Sequence, residues 1–395
     1  MFYLIIFLIL IFFSFTELTD IGGVYKELLF IAAFFMLWFI AGLRYETGGD
    51  WTSYTELFDK IEPLGEVVNG KAPIYKESYM EPGYKILNSI IKSCNGNIQA
   101  VFFIVALLNS VLLFTSLKKY TVYPLVGVMI YFSSMYFFLD MVATRQSIAV
   151  LFFFSAVCFI YERQFWRFFL VMFIAFQFHR SCILLVPLYF FVHKEYKTRT
   201  HIWIFCLSLA IFFFQIQWMT KMLTIAANIV GGTTGAIIKM YVSSTTYGAN
   251  RLLSVGVLIN VMLFSIFMVK REELQKFRYF NIFFNIFMVN VVVFFVFYEF
   301  IEISNRYRSY FLIANLVLLP YLISVYKDKL LKITVFVGVT AFSFLYGRSV
   351  FLEDSTAIAF NPYQNYLIHV IFDTKSDGAE RLKESDKQYI ESRKR

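Results

Sequence analysis

Twelve stretches of this chain are too apolar to be comfortable in water. They lie at about 2–16, 28–43, 98–117, 121–139, 146–161, 165–178, 181–193, 201–218, 252–269, 279–298, 308–326 and 330–346. A helix needs ~20 predominantly apolar residues to cross a bilayer, and these runs reach or approach that length. Lipid offers no water to the backbone, so a spanning segment has to satisfy its own amides, which a helix does. The expected fold is therefore an all-α polytopic membrane protein with about 12 transmembrane helices. Composition removes the soluble alternative. Hydrophobic residues make up 59% of the chain and charged residues 16%, with 50 Phe and 26 Tyr. A soluble domain is roughly a quarter charged and exposes few large apolar patches.

The net charge of +9 does not indicate a nucleic-acid partner, because the Lys and Arg residues sit in short clusters between apolar runs. Five clusters matter: Lys118 and Lys119; Arg163 and Arg167; Lys194, Lys197 and Arg199; Lys270, Arg271, Lys276 and Arg278; and Lys327, Lys329 and Lys332. All five fall on alternate connections, which assigns that side to the cytoplasm. The remaining connections then face outward. They include an outer-face loop at 44–97 and a glycine-containing segment near 219–251, expected to be re-entrant or interfacial. Residues 1–372 are expected to form a single integral membrane domain, followed by a charged tail at 373–395, solvated or disordered. On this helix count the tail lies outside. The stretch 165–193 is broken by His179 and Arg180, so it is either two tilted helices meeting at a polar break or one re-entrant element. Met1 to Phe15 lacks the basic start and cleavage site of a signal peptide and reads as the first spanning helix. The four cysteines are scattered, without metal-ligand spacing or a disulfide framework. No P-loop and no G-x-G-x-x-G is present, which disfavours ATP-driven transport by this chain alone.

Ionisable residues beside apolar runs are expensive and are functional candidates by default. Four groups stand out on the outward connections. The first is Arg44-Tyr45-Glu46-Thr47-Gly48-Gly49-Asp50, with Trp51 and Tyr54 after it. Arg44 offers a planar fork suited to phosphate oxygens, and Asp50 is a candidate base for a sugar hydroxyl. The bland alternative is a loop with an Arg–Asp pair. The second is Asp140, Arg145 and Gln146, where the bland alternative is an ion pair in an outer loop. The third is His179-Arg180-Ser181, where a lone histidine would more often be a satisfied core residue. The fourth is Glu299, Glu302, Asn305, Arg306, Tyr307 and Arg308, alternatively a salt-bridged loop capping two helices. Arginines from separate connections meeting on one face would suit a lipid-linked diphosphate.

Several of these segments together are similar to a known family. Arg44-Tyr45-Glu46-Thr47-Gly48-Gly49-Asp50 with Tyr54 resembles the R-Y-x-x-G-x-D-x-x-x-Y signature of the EpsG family, which belongs with the Wzy-type O-antigen and exopolysaccharide polymerases. Thr144-Arg145-Gln146-Ser147, Phe178-His179-Arg180-Ser181, Asn305-Arg306-Tyr307-Arg308 and Asn361-Pro362-Tyr363 fit the same pattern in order along the chain. The extra Gly49 and the Arg180 after His179 are mild departures. The resemblance implies a GT-C-like membrane glycosyltransferase in the bacterial cytoplasmic (inner) membrane. Such enzymes join undecaprenyl-diphosphate-linked oligosaccharide repeat units at its outer face, with no nucleotide sugar, cofactor or nucleic acid. Membrane lipid and a chain-length regulator protein are candidate partners. The residues assigned on this basis are Arg44, Arg145, Arg306 and Arg308 for diphosphate, and Asp50 or His179 as the base. Tyr54, Arg180, Glu302 and Tyr363 are assigned to the substrate. No D-x-D element is seen, and no metal is expected. The competing functions are a flippase of the same lipid-linked sugar, another polyprenyl-dependent transferase or ligase, and a non-enzymatic scaffold.

Overall fold

A computed structural model of the chain describes residues 1–68, 80–243, 254–354 and 357–392. The element order is α1 (Phe2–Thr16), α2 (Gly23–Gly42), α3 (Trp51–Lys60), α4 (Leu64–Val68), α5 (Pro82–Ser93), α6 (Ile98–Tyr120), α7 (Pro124–Tyr131), a π-turn (Phe132–Tyr136), α8 (Phe137–Met141), α9 (Thr144–Tyr161), α10 (Phe165–Phe176) and a 3₁₀ helix (Arg180–Phe190). It continues with α11 (Thr198–Phe213), α12 (Trp218–Val230), α13 (Gly232–Ser243), α14 (Val255–Val269), α15 (Arg271–Leu274), α16 (Phe280–Val296) and α17 (Ile301–Phe311). The last elements are α18 (Asn315–Ser324), α19 (Lys329–Phe351), α20 (Tyr366–Phe372) and α21 (Gly378–Ser392). Among the described residues the only β-pairing is one isolated antiparallel bridge, Arg44 with Asn365.

Each apolar run of the sequence falls on a helical segment. Among the described residues six helices are long and apolar enough to cross a membrane unaided: Gly23–Gly42, Ile98–Tyr120, Pro124–Met141, Thr144–Tyr161, Ile303–Ser324 and Lys329–Phe351. A seventh span results if α11 and α12, bent by 72° at their junction, are one broken span. Five further apolar helices are shorter, α1 among them. At 15 residues α1 rises only about 22 Å, against a hydrocarbon core of about 30 Å. The chain is an all-α, multi-pass membrane protein.

The described residues form two compact units. One holds Met1–Tyr189 with the residues from Asn315 onward, and the other holds Phe190–Ala314. In the first unit α7, the π-turn and α18 are buried on almost every side. Around them pack α1, α2, α6 and α19, and α9 packs on α6 and α8. Glu17, just after α1, accepts the Leu125 and Val126 amides, each at 3.0 Å, and so satisfies orphan donors at the start of α7. Burial pushes the Glu17 carboxyl up to about 7, against the pull of those two amides and of Lys26. The folded protein thus holds this proton more tightly than the unfolded chain does. Glu17 adds stability at acid pH and loses it as pH rises from 4.5 to about 7. In detergent, the melting temperature of the native protein relative to Glu17→Gln should fall across that window and stay flat above it.

The 44–97 connection is not an open loop. Within it α3 presents Tyr54, Leu57 and Phe58 at helical spacing, and α5 presents Tyr84 and Ile91. These join Ile61, Met80, Val101, Phe102, Val105 and Ile148 in a separate small core on the flanks of α6 and α9. The broken stretch at 165–193 is a hairpin. The rings of Phe168 and Tyr189 lie 5.5 Å apart, and the Cys182 thiol reaches the Met172 carbonyl at 3.8 Å. Its tip is Gln177–Arg180.

In the second unit α11 packs on α16, with the rings of Phe212 and Phe295 5.4 Å apart, and the ring of Phe205 stacks at 3.9 Å on Phe264 of α14. The segment expected near 219–251 to be re-entrant or interfacial contains α12 and α13, joined at Gly231 and Gly232, both with positive φ. Residues 244–251 of it lie outside the described residues. The Glu299 carboxylate caps α12 by accepting the amides of Met219 at 2.9 Å and Thr220 at 3.0 Å.

Candidate functional site

Three of the four polar groups flagged in the sequence come together in the first unit. The loop after α2 turns back at Arg44 and is held by the C-terminal stretch. The Tyr45 amide donates to the Gln364 carbonyl at 2.9 Å, and the Tyr366 amide donates to the Leu43 carbonyl at 2.7 Å. Gly48 sits at φ +100°, its amide donating to the Ala359 carbonyl at 3.0 Å. A Cβ on it would lie 2.2 Å from the Met141 carbonyl oxygen. Gly49 is unlike its neighbour, since a Cβ there would meet only Val142, at 3.4 Å. Gly48→Ala should therefore destabilise the protein by about 1–3 kcal/mol, whereas Gly49→Ala stays within about 0.5 kcal/mol. Thermal unfolding of the two variants in detergent measures the difference.

Arg44 is only 2% exposed. Its guanidinium lies over the Phe102 ring at 4.3 Å, and Nη1 donates to the Ala41 carbonyl at 2.6 Å. Its Nε and Nη2 make no hydrogen bond among the described residues. Burial lowers its proton affinity, opposed by Tyr136, Tyr84, Asp140 and Tyr54. An arginine in apolar surroundings with two idle donors is costly to maintain unless an anion completes it.

Arg145, at the start of α9, does not pair with Asp140 as an outer-loop ion pair would require. Asp140 is buried and accepts from Asn109 at 2.7 Å and from Tyr131. The partner of Arg145 is Glu81, in an ion pair with the two side chains 15% and 7% exposed. Glu81 stands at the N-cap of α5, ahead of Pro82. Its other oxygen accepts the Arg180 amide at 3.3 Å, so it ties Arg145 to the hairpin tip. That tip meets α5 backbone to backbone: the Gly83 amide donates to the Gln177 carbonyl at 2.8 Å, and a Cβ on Gly83 would lie 2.8 Å from that oxygen. Lys85, one turn along α5, is also buried. Burial and the adjacent Arg180 lower its proton affinity, while Glu81 opposes them. Glu81 thus holds the Arg145 guanidinium and the Arg180 backbone amide, with the charge of Lys85 close by, while the Arg180 side chain is exposed. His179 Nδ1 lies 2.6 Å from the Ser181 hydroxyl.

Tyr54 lies under Arg145, whose guanidinium is 6.0 Å from its ring centroid. Tyr84 is fully buried, its hydroxyl beside Thr144, and it feels the charge of both Arg44 and Arg145. Burial pushes both phenols above their ordinary values, so both remain protonated donors. Asp50 is exposed and stands at the N-cap of α3. Tyr363 is turned the other way. Its hydroxyl donates to the Ile40 carbonyl at 3.1 Å, and its ring stacks on Phe2 at 4.6 Å.

The fourth group belongs to the second unit. Arg308 lies over Phe294 at 4.5 Å, and its Nε donates to Asn290 Oδ1 at 3.2 Å. Asn290 in turn donates to Asn260, and Asn260 to the Gly256 carbonyl. This ladder of amides through α14 and α16 fixes the head of Arg308. Arg306 is exposed on α17. The side chain of Glu302 lies outside the described residues.

Glu81, Lys85 and Tyr84 were not singled out by sequence reasoning. The signal available was the Glu81-Pro82-Gly83 triplet, an acid at a helix N-cap followed by the proline favoured at N1. Asn260 and Asn290 gave a weaker signal, as lone amides inside apolar runs.

No curated protein and no solved structure matches the chain. The EpsG family model matches residues 27–365, a span that includes Arg44, Asp50, Glu81, Arg145, His179, Arg306, Arg308 and Tyr363. That family groups Wzy-type and exopolysaccharide polymerases. The chain, with its helices and its arginine-bearing loops in the expected order, belongs to the EpsG family.

Proposed function

We propose that this protein polymerises undecaprenyl-diphosphate-linked oligosaccharide repeat units into a surface polysaccharide at the outer face of the bacterial cytoplasmic membrane. The observation that carries the proposal is the cationic cluster of the first unit. Buried Arg44, with two donors making no hydrogen bond among the described residues, stands near Arg145, which is paired with Glu81, and the charge of Lys85 lies close to the same carboxylate. A diphosphate is the anion that such forked, low-dielectric donors suit best.

In the proposed step the acceptor sugar hydroxyl loses its proton to Asp50 or His179. Its oxygen bonds to the anomeric carbon of the donor chain. The bond from that carbon to the lipid diphosphate breaks, and the diphosphate leaves with the electron pair. Arg44 and Arg145 stabilise the charge that develops on it, with the Tyr84 hydroxyl as a further donor. Tyr54 and Arg180 contact the substrate. Arg306 and Arg308 are proposed to bind diphosphate, and Glu302 and Tyr363 to bind substrate, on the strength of the sequence pattern alone. Twelve crossings, a GT-C-like bundle, a single membrane domain at 1–372 with a tail at 373–395, and a chain-length regulator as partner complete the proposal.

The competing function is a flippase of the same lipid-linked sugar. Purified protein given lipid-linked repeats and no nucleotide should produce longer chains and free undecaprenyl diphosphate. Unchanged repeats, with transbilayer movement instead, would establish the flippase. In cells, alanine at Arg44, Asp50, Arg145, His179 or Arg306 should abolish long polymer at normal protein level, and normal polymer from all five would sink the site assignment.

A further inference from the structure

We propose that Ser376 and Arg381 are positioning residues: the first turn of the C-terminal tail clamps Glu46 and thereby holds the 44–50 loop in the form that buries Arg44. This rests on the proposed function only for its consequence for polymer, not for the clamp.

Glu46 has φ +44°, in the left-handed region that side chains with a Cβ seldom adopt. Such a conformation persists only where the surroundings over-determine it. Here the surroundings come from the other end of the chain. The Ser376 hydroxyl donates to Glu46 Oε2 at 2.5 Å, and Arg381 Nη2 reaches the Glu46 carbonyl at 3.4 Å. Arg381 Nη1 reaches the Ala359 carbonyl at 3.3 Å, the same oxygen that accepts the Gly48 amide. Asp377 links the two strands of this knot, accepting from Arg381 Nε and from the Gln364 side chain, each at 2.7 Å. Gln364 in turn receives the Tyr45 amide on its backbone.

Two details set this apart from the solvated tail that its composition suggests. Arg381 is 6% exposed, unusual for an arginine on a terminal charged helix. At Gly378 a Cβ would lie 2.4 Å from both the Cβ and the carbonyl oxygen of Glu46, so the tail backbone lies directly on the loop and only glycine fits there. A further consequence is that the tail and the 44–50 loop share one face of the first unit. Arg381 is then held on that face by side-chain bonds, whatever the positive-inside tendency would favour.

The test uses the full chain in membranes opened to both faces. The exposed Cys94 and Cys206 are replaced by serine, and Thr47→Cys serves as reporter because Thr47 is fully buried in the clamped loop. Buried Cys158 and Cys182 act as internal controls for global opening. A bulky maleimide should label residue 47 slowly in the parent. In Ser376→Ala/Arg381→Ala, and in Gly378→Val, labelling should be at least about tenfold faster, as when hydrogen bonds no longer oppose local opening. Arg381→Lys should restore part of the protection. Unchanged labelling in both altered tails would overturn the clamp, as would simultaneous labelling of residues 47, 158 and 182. Polymer length, measured in the same strains, should shorten with the labelling rate. If the protein proves not to be a polymerase, the labelling result still stands or falls by itself.

Discussion

Arg44→Met is expected to abolish long polymer while leaving the protein as stable as the parent, or more so. The reason lies in what Arg44 lacks. Its guanidinium is buried against Phe102, and two of its nitrogens make no hydrogen bond among the described residues. An unsatisfied buried polar group costs about 1–3 kcal/mol, more when it is charged. Methionine fills similar volume with no polar atom, so that cost disappears. A residue kept only for folding would show the opposite, and the two outcomes separate cleanly. Arg44→Lys keeps the charge but loses the planar fork, and polymer should still fall at least about tenfold if the fork binds a diphosphate. The measurements are polymer length in cells and thermal unfolding of the purified variants. A marked loss of stability in Arg44→Met would turn Arg44 into a structural residue and remove the central support for the proposed site.

Glu81→Ala should be the most damaging single change in the first unit. It removes the ion-pair partner of Arg145 and the acceptor of the Arg180 amide together. Breaking a buried pair from one side costs about 3–5 kcal/mol, because the remaining charge stays uncompensated. Since Arg145 is 15% exposed, a loss of about 3 kcal/mol is expected. Removing both partners, in Glu81→Ala/Arg145→Ala, should recover much of the stability while polymer stays absent. A coupling energy near zero in that double-mutant cycle would show that the pair does not act as a unit. Glu81→Gln keeps the acceptor for the Arg180 amide and should be milder than alanine.

Arg44, Arg145, His179 and Arg180 were legible because each breaks or borders an apolar run, where charge is expensive whatever surrounds it. Asp140 was equally legible as a costly residue, but its partner was not. Proximity along the chain suggests Arg145, whereas the fold gives it Asn109 and Tyr131. Glu81 was illegible as the partner of Arg145 because it stands 64 positions earlier, in a polar stretch where one carboxylate looks like any other. The same limit hid α3, α4 and α5 inside the 44–97 connection. The apolar faces of α3 and α5 are narrow and are completed only by packing on α6 and α9, while α4 buries no residue.

What the sequence by itself determined is the class of fold and the order of its long apolar helices. The physical reason is solvent: a backbone in lipid has to bond to itself, so hydropathy alone dictates helices at those positions. It also marked, by their cost, most of the ionisable residues of the candidate site. Only the tertiary structure decided which of them meet. It placed Glu81 between Arg145 and Arg180, left Arg44 buried with idle donors, and laid a charged tail on the signature loop 330 residues before it. Those outcomes depend on pairings between distant segments, and no local pattern of residues carries them.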